Sequence, residues 1–295
     1  FSERSGVINI ALEGIMLIGA FIGTLCVFFV QGSGMDPQVI LLIGTLAAAV
    51  AGIVYSLLLG VAAIHLKADQ TISGTALNMF APAIMLLVCK MAFMSDGVTT
   101  NVAFYIQKIP VLGDIPFIGE LFFQKTYLTV AIGIVILIVS TIFLYKTKLG
   151  LRLRACGEHP QAADSVGINV YKMRYLGVCL SGFLGGIGGF FYAVSIMDGN
   201  SNGHTGVAGF GFLALAVMIF GQWKPVSIFF AALFFAFLRT VAYSVPLIPF
   251  LAALGIDNAI YKMLPYIVTM IILAFTSKKS RAPKAEGIPY DKGQR

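Results

Sequence analysis

Long apolar runs separated by short polar stretches dominate the pattern of hydrophobic and polar positions along the chain. The runs long enough to cross a bilayer lie at 6–30, 38–65, 72–94, 126–145, 175–197, 207–223, 226–245 and 259–276. A spanning helix needs about 20 apolar residues. The runs are continuous rather than alternating, which favours helices over barrel strands. The pattern therefore predicts an all-α, polytopic membrane helix bundle with about eight spanning helices.

The start of the chain bears on the helix count. The sequence begins at Phe1 rather than at Met and enters the first apolar run almost at once. We therefore expect upstream sequence that contributes one further helix. The chain is 58% hydrophobic and 11% charged, whereas soluble domains carry roughly 25% charged residues. Composition and pattern thus agree on a multi-pass membrane protein.

Basic residues are concentrated in alternate connecting segments. With a cytoplasmic C-terminus, the inside segments are 1–5, 66–71, 146–174, 224–225 and 277–295. They hold 15 of the 20 Lys and Arg residues, and the outside segments hold only Lys108 and Lys125. Because cytoplasmic loops of membrane proteins are enriched in Lys and Arg, this bias predicts the orientation. It also explains the net charge of +7 without a nucleic-acid partner.

Several kinds of chemistry lack a sequence signature. The four cysteines are scattered without CxxC spacing, and the three histidines have no companion at ligand spacing, so no metal or cofactor is expected. Nucleotide-binding and hydrolase motifs are also missing, which predicts a non-enzymatic chain. The polar tail 277–295 contains two prolines and no apolar period. We predict a disordered, basic cytoplasmic tail that is attracted to membrane lipids.

Small residues recur at the spacing of helix contacts. They are Gly182, Gly185, Gly186 and Gly189 in the fifth run, and Gly52, Ser56 and Gly60 in the second. Small residues three or four positions apart let helix backbones approach closely in lipid. The second and fifth runs are therefore predicted to pack through these faces.

Three polar side chains inside the predicted spans are candidates for function. Glu13 is two turns into the first run, and Asn9 lies four residues earlier on the same helical face, so the two can share a hydrogen bond. Asn78 lies in the third run, shortly before Pro82. Buried polar groups in membrane helices often border a translocation path. The alternative is a set of hydrogen bonds that clasp neighbouring helices, and the sequence leaves both interpretations open.

The loop 146–174 carries its own short helix signal. It contains six of the Lys and Arg residues. Pro160 suits the first turn of a helix, with His159 before it and Gly167 past its end. The loop is therefore predicted to form a short cytoplasmic helix, about QAADSVG, parallel to the membrane. Such a helix is either a rigid peg for a partner or a simple connector.

Four segments together resemble the permease subunits of bacterial ABC importers, in the branch with ribose and branched-chain amino acid permeases. They are FSERSGVINIALEGIMLIGAF at 1–21, KADQTISGTALNMF at 67–80, GLRLRACGEHPQAADSVGINV at 150–170 and GFGFLALAVMIFGQWKP at 209–225. The opening segment is most similar to permeases for nucleosides. The resemblance implies a permease domain over 1–276 in the bacterial plasma membrane.

In this family the cytoplasmic loop docks a short coupling helix into a separate ATPase subunit. The resemblance places that role here on Gly150, Arg154, Gly157, Glu158, Pro160, Ala162, Ala163 and Gly167. Where the family usually has Asn before the proline, this chain has His159, which is a change of cap. The family commonly shows Gly-Arg-Gly-Phe where this chain has Phe210 in place of the arginine, so no role is transferred to Phe210.

The resemblance further implies an uptake mechanism. A solute-binding lipoprotein would deliver a nucleoside to two permease subunits, this chain and a related one, and two ATPase subunits would drive alternating access. Asn9, Glu13 and Asn78 would border the path. The alternatives are a permease of the same class for simple sugars or riboflavin-like solutes, an ion-coupled secondary transporter, and a membrane scaffold. Glu13 is the one acidic candidate for ion coupling, which disfavours the secondary transporter.

Overall fold

The computed structural model describes residues 1–108, 124–203, 206–245 and 281–293, together with the single residues 260, 261, 263, 267, 268 and 270. Within this part of the chain, six helices are long and apolar enough to span a membrane. The predicted run 207–223 is a shorter apolar helix. The run 259–276 lies mostly outside the described residues. An all-α, polytopic helix bundle is confirmed.

The long helices follow one another as the apolar runs suggested, with short helices and strands between them. In chain order the helices are α1 (Leu12–Val30), α2 (Pro37–Gly60), α3 (Gln70–Phe93), α4 (Leu128–Lys146), α5 (Lys148–Glu158), α6 (Pro160–Ser165), α7 (Val170–Ser195), α8 (Phe210–Phe220) and α9 (Pro225–Ser244). The strands are β1 (Gly97–Thr99), β2 (Tyr105–Lys108), β3 (Gln124–Tyr127) and β4 (Asn200–Asn202). Short 3-10 turns lie at Glu3–Ser5 and Gln31–Ser33, and a π turn at Val61–His65 extends α2.

Polar capping residues mark where three of the long helices begin. The Asp36 side chain accepts a hydrogen bond from the backbone of Gln38, and Pro37 occupies the first position of α2. The Asp69 side chain caps α3, and the Asn169 side chain caps α7. Side-chain oxygens at these positions satisfy backbone N–H groups that a helix start leaves without intrahelical partners.

The chain forms two compact units, residues 1–211 with 283–295 and residues 212–282. The first unit contains α1 to α7 and, among the described residues near the end of the chain, 283–293. In the second unit, Ala231 and Phe235 of α9 pack against Val217 of α8. The site residues predicted from the sequence all lie in the first unit.

A glycine face on α7 forms the centre of the first unit. A Cβ added at Gly186 would lie 2.2 Å from the carbonyl oxygen of Ala48, and one added at Gly19 would lie 2.4 Å from the Gly186 Cα. A Cβ at Gly52 would lie 2.2 Å from the Gly182 carbonyl oxygen. The backbones of α1 and α2 thus both contact α7 directly. The prediction that these small-residue faces allow close helix contacts is confirmed.

Phe190 shows how the same face accommodates a large side chain. A Cβ at Gly23 of α1 would lie 2.4 Å from the Phe190 ring, and a Cβ at Gly44 of α2 would lie 2.6 Å from it. The ring is 1% exposed and packs with Val27 and Leu41. The absence of two side chains on the neighbouring helices therefore makes room for one phenylalanine, as close packing in protein interiors requires.

Connecting segments that the Lys and Arg distribution assigned to the same side of the membrane contact one another. Among the segments assigned to the inside, the Ala285 N–H donates to the Gly157 carbonyl at 2.9 Å, and Lys67 pairs with Asp291 at 2.8 Å. Among those assigned to the outside, β1 pairs antiparallel with β4, with Gly97 opposite Asn202. Segments with the same predicted side therefore meet at the same end of the first unit.

The outer end contains strands that the helical pattern did not predict. β1 pairs with β4, and β2 pairs with β3 with Tyr105 opposite Tyr127. The segments are only three or four residues long, so no alternation of apolar and polar positions was available to reveal them. They pair residues that are far apart along the chain.

The first predicted span is wrong at its beginning. The apolar run starts at residue 6, but α1 begins at Leu12. Gly6 has a φ of 95°, in the left-handed region, where it ends the preceding 3-10 turn, and residues 7–9 are not helical. Val7 and Ala11 are nevertheless fully buried. The run is apolar because it is buried in the bundle, and apolar character alone does not distinguish helix from buried irregular chain.

Residues 281–293, within the stretch predicted to be a disordered tail, include buried side chains. Ala285 and Tyr290 are 6% and 5% exposed. The backbone of Gly287 donates to the Gly6 carbonyl at 3.2 Å. The polar composition of this stretch indicated disorder, but a few small and aromatic side chains fit between elements that are distant in sequence.

Candidate functional site

Asn78 of α3 clasps the beginning of α1. Its Nδ2 donates to the Ile10 carbonyl and its Oδ1 accepts from the Gly14 N–H, both at 2.8 Å. The Gly14 N–H belongs to the first turn of α1, where backbone donors lack intrahelical acceptors. The side chain therefore acts as a cap supplied by another helix, and it stabilises the irregular entry into α1.

Glu13 also binds backbone, at the start of α8. It lies in the first turn of α1 rather than two turns into a helix. Its Oε1 accepts from the Gly209 N–H at 2.9 Å and its Oε2 from the Gly211 N–H at 2.7 Å. A carboxylate is favourable at a helix N-terminus because the unpaired N–H groups and the helix dipole both attract negative charge. Both carboxylate oxygens thus have partners.

Asn9 does not share a hydrogen bond with Glu13, so that prediction is wrong. Because α1 begins at Leu12, residues 9 and 13 are not one helical turn apart. Instead, Asn9 Nδ2 donates to Ser181 Oγ on α7 at 2.8 Å. The Asn9 side chain is 3% exposed, and its Oδ1 has no hydrogen-bond partner among the described residues. Asn9 therefore supplies a buried acceptor beside the irregular segment.

Sequence reasoning missed Gln70, which completes this polar cluster. Gln70 Oε1 accepts from the Ile8 N–H at 2.8 Å, while its buried Nε2 is unpartnered within the described part of the chain. The residue is 3% exposed. Its position directly after the capping Asp69 was the one available signal. That signal is weak because a glutamine in the first turn of a membrane helix is more often solvated.

Hydrogen bonds join α3 and α7 to the irregular segment 7–11, which leads into α1. Asn9, Glu13 and Asn78 are brought to the same region, as the path hypothesis requires. Glu13 and Asn78 use their polar groups as clasps, which is the alternative that the sequence left open. Non-helical backbone within a membrane bundle occurs where it is enclosed by protein or lines a cavity. Asn9 Oδ1 is an acceptor and Gln70 Nε2 is a donor without a partner among the described residues.

Glu13→Gln is expected to destabilise the protein. Glutamine has one acceptor oxygen and no charge, so the N–H of either Gly209 or Gly211 loses its partner. An unsatisfied buried donor costs about 1–3 kcal/mol. The midpoint of thermal unfolding of purified protein would measure the loss. The matched control is Glu158→Gln, since Glu158 is 3.9 Å from Arg4 on a partly exposed surface, where ion pairs contribute little. Equal shifts in both variants would contradict the capping role.

The short helix predicted in the loop is present as α6, and it follows the longer helix α5. Pro160 occupies the first position of α6, as predicted. Gly167 has a φ of 83° just past the end of the helix. The Thr147 hydroxyl caps α5 by accepting from the Gly150 N–H at 3.0 Å. The sequence signal thus located α6 correctly but did not reveal that the basic stretch before it is also helical.

Burial divides the predicted coupling residues into two groups. The buried ones are Gly150, Gly157, Pro160 and Ala163, and the exposed or half-exposed ones are Arg154, Glu158, Ala162 and Gly167. Val166, which sequence reasoning missed, is 74% exposed beside Ala162. An apolar side chain that is this exposed on a polar loop is available to a partner.

The buried members of the set hold the loop in place. A Cβ at Gly157 would lie 2.3 Å from the Arg4 carbonyl oxygen, and a Cβ at Gly150 would lie 2.1 Å from the Phe143 carbonyl oxygen. Both contacts are to backbone, so larger residues would displace α5 from its neighbours. Arg154 stacks over the Tyr145 ring at 4.9 Å. The loop therefore has an anchored side and an exposed side.

Comparisons with known proteins agree with this architecture. The chain matches the family described as branched-chain amino acid transport system / permease component over residues 1–273. The guanosine ABC transporter permease protein NupQ of Bacillus subtilis is 45% identical over 299 residues, which is 100% of this chain and 91% of the relative. No solved structure gives a significant match.

Two Lactococcus lactis proteins are also similar. The nucleoside ABC transporter permease protein NupC is 41% identical over 294 residues, covering 100% of this chain and 91% of the relative. The nucleoside ABC transporter permease protein NupB is 30% identical over 169 residues, covering 56% of this chain and 44% of the relative. A family match over most of the chain, whole-chain relatives and six apolar helices lead to one conclusion. The chain belongs to the permease component family of branched-chain amino acid transport systems and is a multi-pass protein of the inner membrane.

Proposed function

We propose that this chain is the transmembrane permease subunit of an ATP-driven ABC uptake system for nucleosides. The observation that carries the proposal is whole-chain similarity to relatives named for guanosine and nucleoside transport, at 45% and 41% identity. The bundle of apolar helices and the exposed helix α6 support the same assignment. The permease domain comprises residues 1–276, and residues 146–174 form its coupling loop.

The mechanism is alternating access driven by a separate ATPase. The exposed side of α6, with Ala162, Val166 and Gly167, docks into the ATPase subunit. The buried side, with Pro160 and Ala163, transmits the movement to the bundle. ATP binding changes the population of inward- and outward-open states only if the complex binds ATP more tightly in one of them.

A second permease subunit completes the path. NupC and NupB come from the same Lactococcus lactis strain, and both are similar to this chain. A pair of related permeases in one cell supports a heterodimer of this chain with a relative. An extracytoplasmic solute-binding lipoprotein delivers the solute to the outer end.

The polar cluster at the start of α1 borders the path in this scheme. Asn9 offers an acceptor to a polar solute, Asn78 holds the irregular segment 7–11, and Glu13 holds the start of α8. A nucleoside carries hydroxyl and base donors that can bind such an acceptor. Weak binding suits transport because the solute must also be released.

Uptake by the reconstituted complex is expected to follow ATP hydrolysis and to favour nucleosides. The experiment uses proteoliposomes with this chain, its partner permease, the ATPase and the lipoprotein, and it measures entry of labelled guanosine. Unlabelled adenosine and uridine should compete, whereas ribose, riboflavin and leucine should not. An ATPase variant that does not hydrolyse ATP is the control.

The other outcomes separate the alternatives. Uptake of ribose or riboflavin in place of guanosine would overturn the nucleoside assignment and keep the ABC mechanism. Uptake that needs an ion gradient but no ATP would indicate a secondary transporter. Binding of the partners without uptake of any tested solute would indicate a scaffold.

A further inference from the structure

Residues 283–291, here called the distal segment, lie against the elements that carry the coupling loop. The Ala285 N–H donates to the Gly157 carbonyl at the end of α5 at 2.9 Å. Arg174 Nη1 of α7 donates to the Ile288 carbonyl, also at 2.9 Å. These two hydrogen bonds place the distal segment against α5 and α7.

Tyr290 is the central contact of the distal segment. It is 5% exposed and belongs to a cluster with Cys156, Ala163 and Val170. These three residues lie on α5, on α6 and at the start of α7, respectively. The Tyr290 ring also packs edge-on against Tyr171, with 5.3 Å between ring centroids. Tyr290 thus belongs to one buried cluster to which all three helices of the loop contribute a residue.

A second set of contacts joins the distal segment to the beginning of the chain. The Gly287 N–H donates to the Gly6 carbonyl at 3.2 Å. Glu286 forms a side-chain hydrogen bond with Glu3, and burial together with the Glu3 charge raises the pKa of Glu286 well above its usual range. The side chains of Glu286 and Glu3 thus add to the contacts between the distal segment and the beginning of the chain. The Lys67–Asp291 pair is solvent-exposed and contributes little.

We propose that the distal segment positions the coupling helix, with Tyr290 as the positioning residue that fixes α6 against α5 and α7. This inference rests on the proposed coupling role of α6. Ala163 is the α6 residue in the buried cluster that contains Tyr290, and α6 has only six residues. A helix this short has little stability of its own. Without the Tyr290 ring, movement of the ATPase would displace α6 locally instead of reorienting the bundle.

The experiment compares Tyr290→Ala with Ile288→Ala in the complete complex. Ile288 lies two residues away in the same segment, and its side chain is 57% exposed, so its truncation leaves the packing intact. Hydrogen exchange at the backbone N–H groups of Ala163, Gly167 and Ile168 reports the stability of α6. Nucleoside uptake per ATP hydrolysed reports coupling, which a general loss of folded protein would not change.

Tyr290→Ala is expected to accelerate exchange in α6 by about tenfold while the ATPase stays bound. Uptake per ATP should fall by about fivefold or more, since small changes in free energy shift populations by such factors. Tyr290→Phe keeps the ring and should restore both values. Ile288→Ala should match the unaltered protein.

Unchanged exchange and unchanged uptake per ATP in Tyr290→Ala would overturn the inference and leave the proposed function standing. If the unaltered complex shows no ATP-dependent uptake, the proposed function fails, and exchange in α6 still decides whether Tyr290 holds the helix. If Tyr290→Ala yields too little folded protein, Tyr290→Leu takes its place. Unchanged exchange in that variant would overturn the inference equally.

Discussion

Replacing Gly186 with leucine is expected to abolish stable assembly of the helix bundle. A Cβ at this position would lie 2.2 Å from the Ala48 carbonyl oxygen and 3.1 Å from the Gly52 Cα. Gly19 of α1 contacts the same residue. Because the neighbouring atoms are backbone, they cannot rotate away, and whole helices must separate. Overpacking of a core costs typically about 1–3 kcal/mol, and separation of helices that associate through close backbone contact costs more.

The control for this change lies on the same helix. A Cβ at Gly188 would meet no atom of the described residues within 4 Å. Gly188→Leu should therefore be neutral or slightly stabilising, since leucine favours the helix over glycine by about 1 kcal/mol. Yield of monodisperse protein and the midpoint of thermal unfolding compare the two variants. Similar behaviour of Gly186→Leu and Gly188→Leu would show that the glycine face does not hold the bundle together.

The glycine face was predictable because its signal is local. Small residues at a spacing of three or four positions within one apolar run, such as Gly182 and Gly186, already indicate a close helix contact. The spans were predictable for a similar reason, since length and hydropathy are properties of a continuous stretch. What the pattern did not identify is which helix each face meets. The contact of Gly186 with both α1 and α2 depends on the tertiary arrangement.

The irregular entry to α1 was not predictable from the run itself. Residues 7–11 are as apolar as the helix that follows them. Their backbone is held by Gln70 and Asn78, which lie more than sixty positions away. The same long-range contacts explain why the expected Asn9–Glu13 pair does not form. Side chains of α3 bind the backbone of residues 8 and 10. This stretch is therefore not helical, and the four-residue spacing of a helix does not apply to Asn9 and Glu13.

In the loop 146–174, too, some features were predictable from the sequence and others were not. Pro160 and Gly167 marked the ends of α6 because their backbone preferences are local. Which residues face outward depends on what packs beneath them, and Tyr290 lies more than 120 positions later in the chain. Composition indicated disorder for that later stretch because it is short, polar and basic. Its order comes from one buried tyrosine and from backbone bonds to Gly6 and Gly157.

Introducing aspartate at both Ala162 and Val166 is expected to abolish association with the ATPase. Both side chains are exposed, so the changes leave the anchored side of α6 intact and should alter folding stability by less than about 0.5 kcal/mol. An unpaired charge buried at a contact costs about 3–5 kcal/mol. Such a cost lowers affinity by about 100-fold or more. Co-purification of the ATPase with the tagged permease measures the effect.

Two further variants identify the cause of any loss. Leu151→Asp places the same charge on α5, where Leu151 is 61% exposed, and the ATPase should still co-purify. Ala163→Asp buries the charge beneath α6, where Ala163 is 4% exposed, and should reduce the yield of folded protein itself. Retention of the ATPase by the Ala162/Val166 double variant would place the docking surface elsewhere. Loss with Leu151→Asp as well would indicate that added negative charge, rather than the α6 surface, weakens the complex.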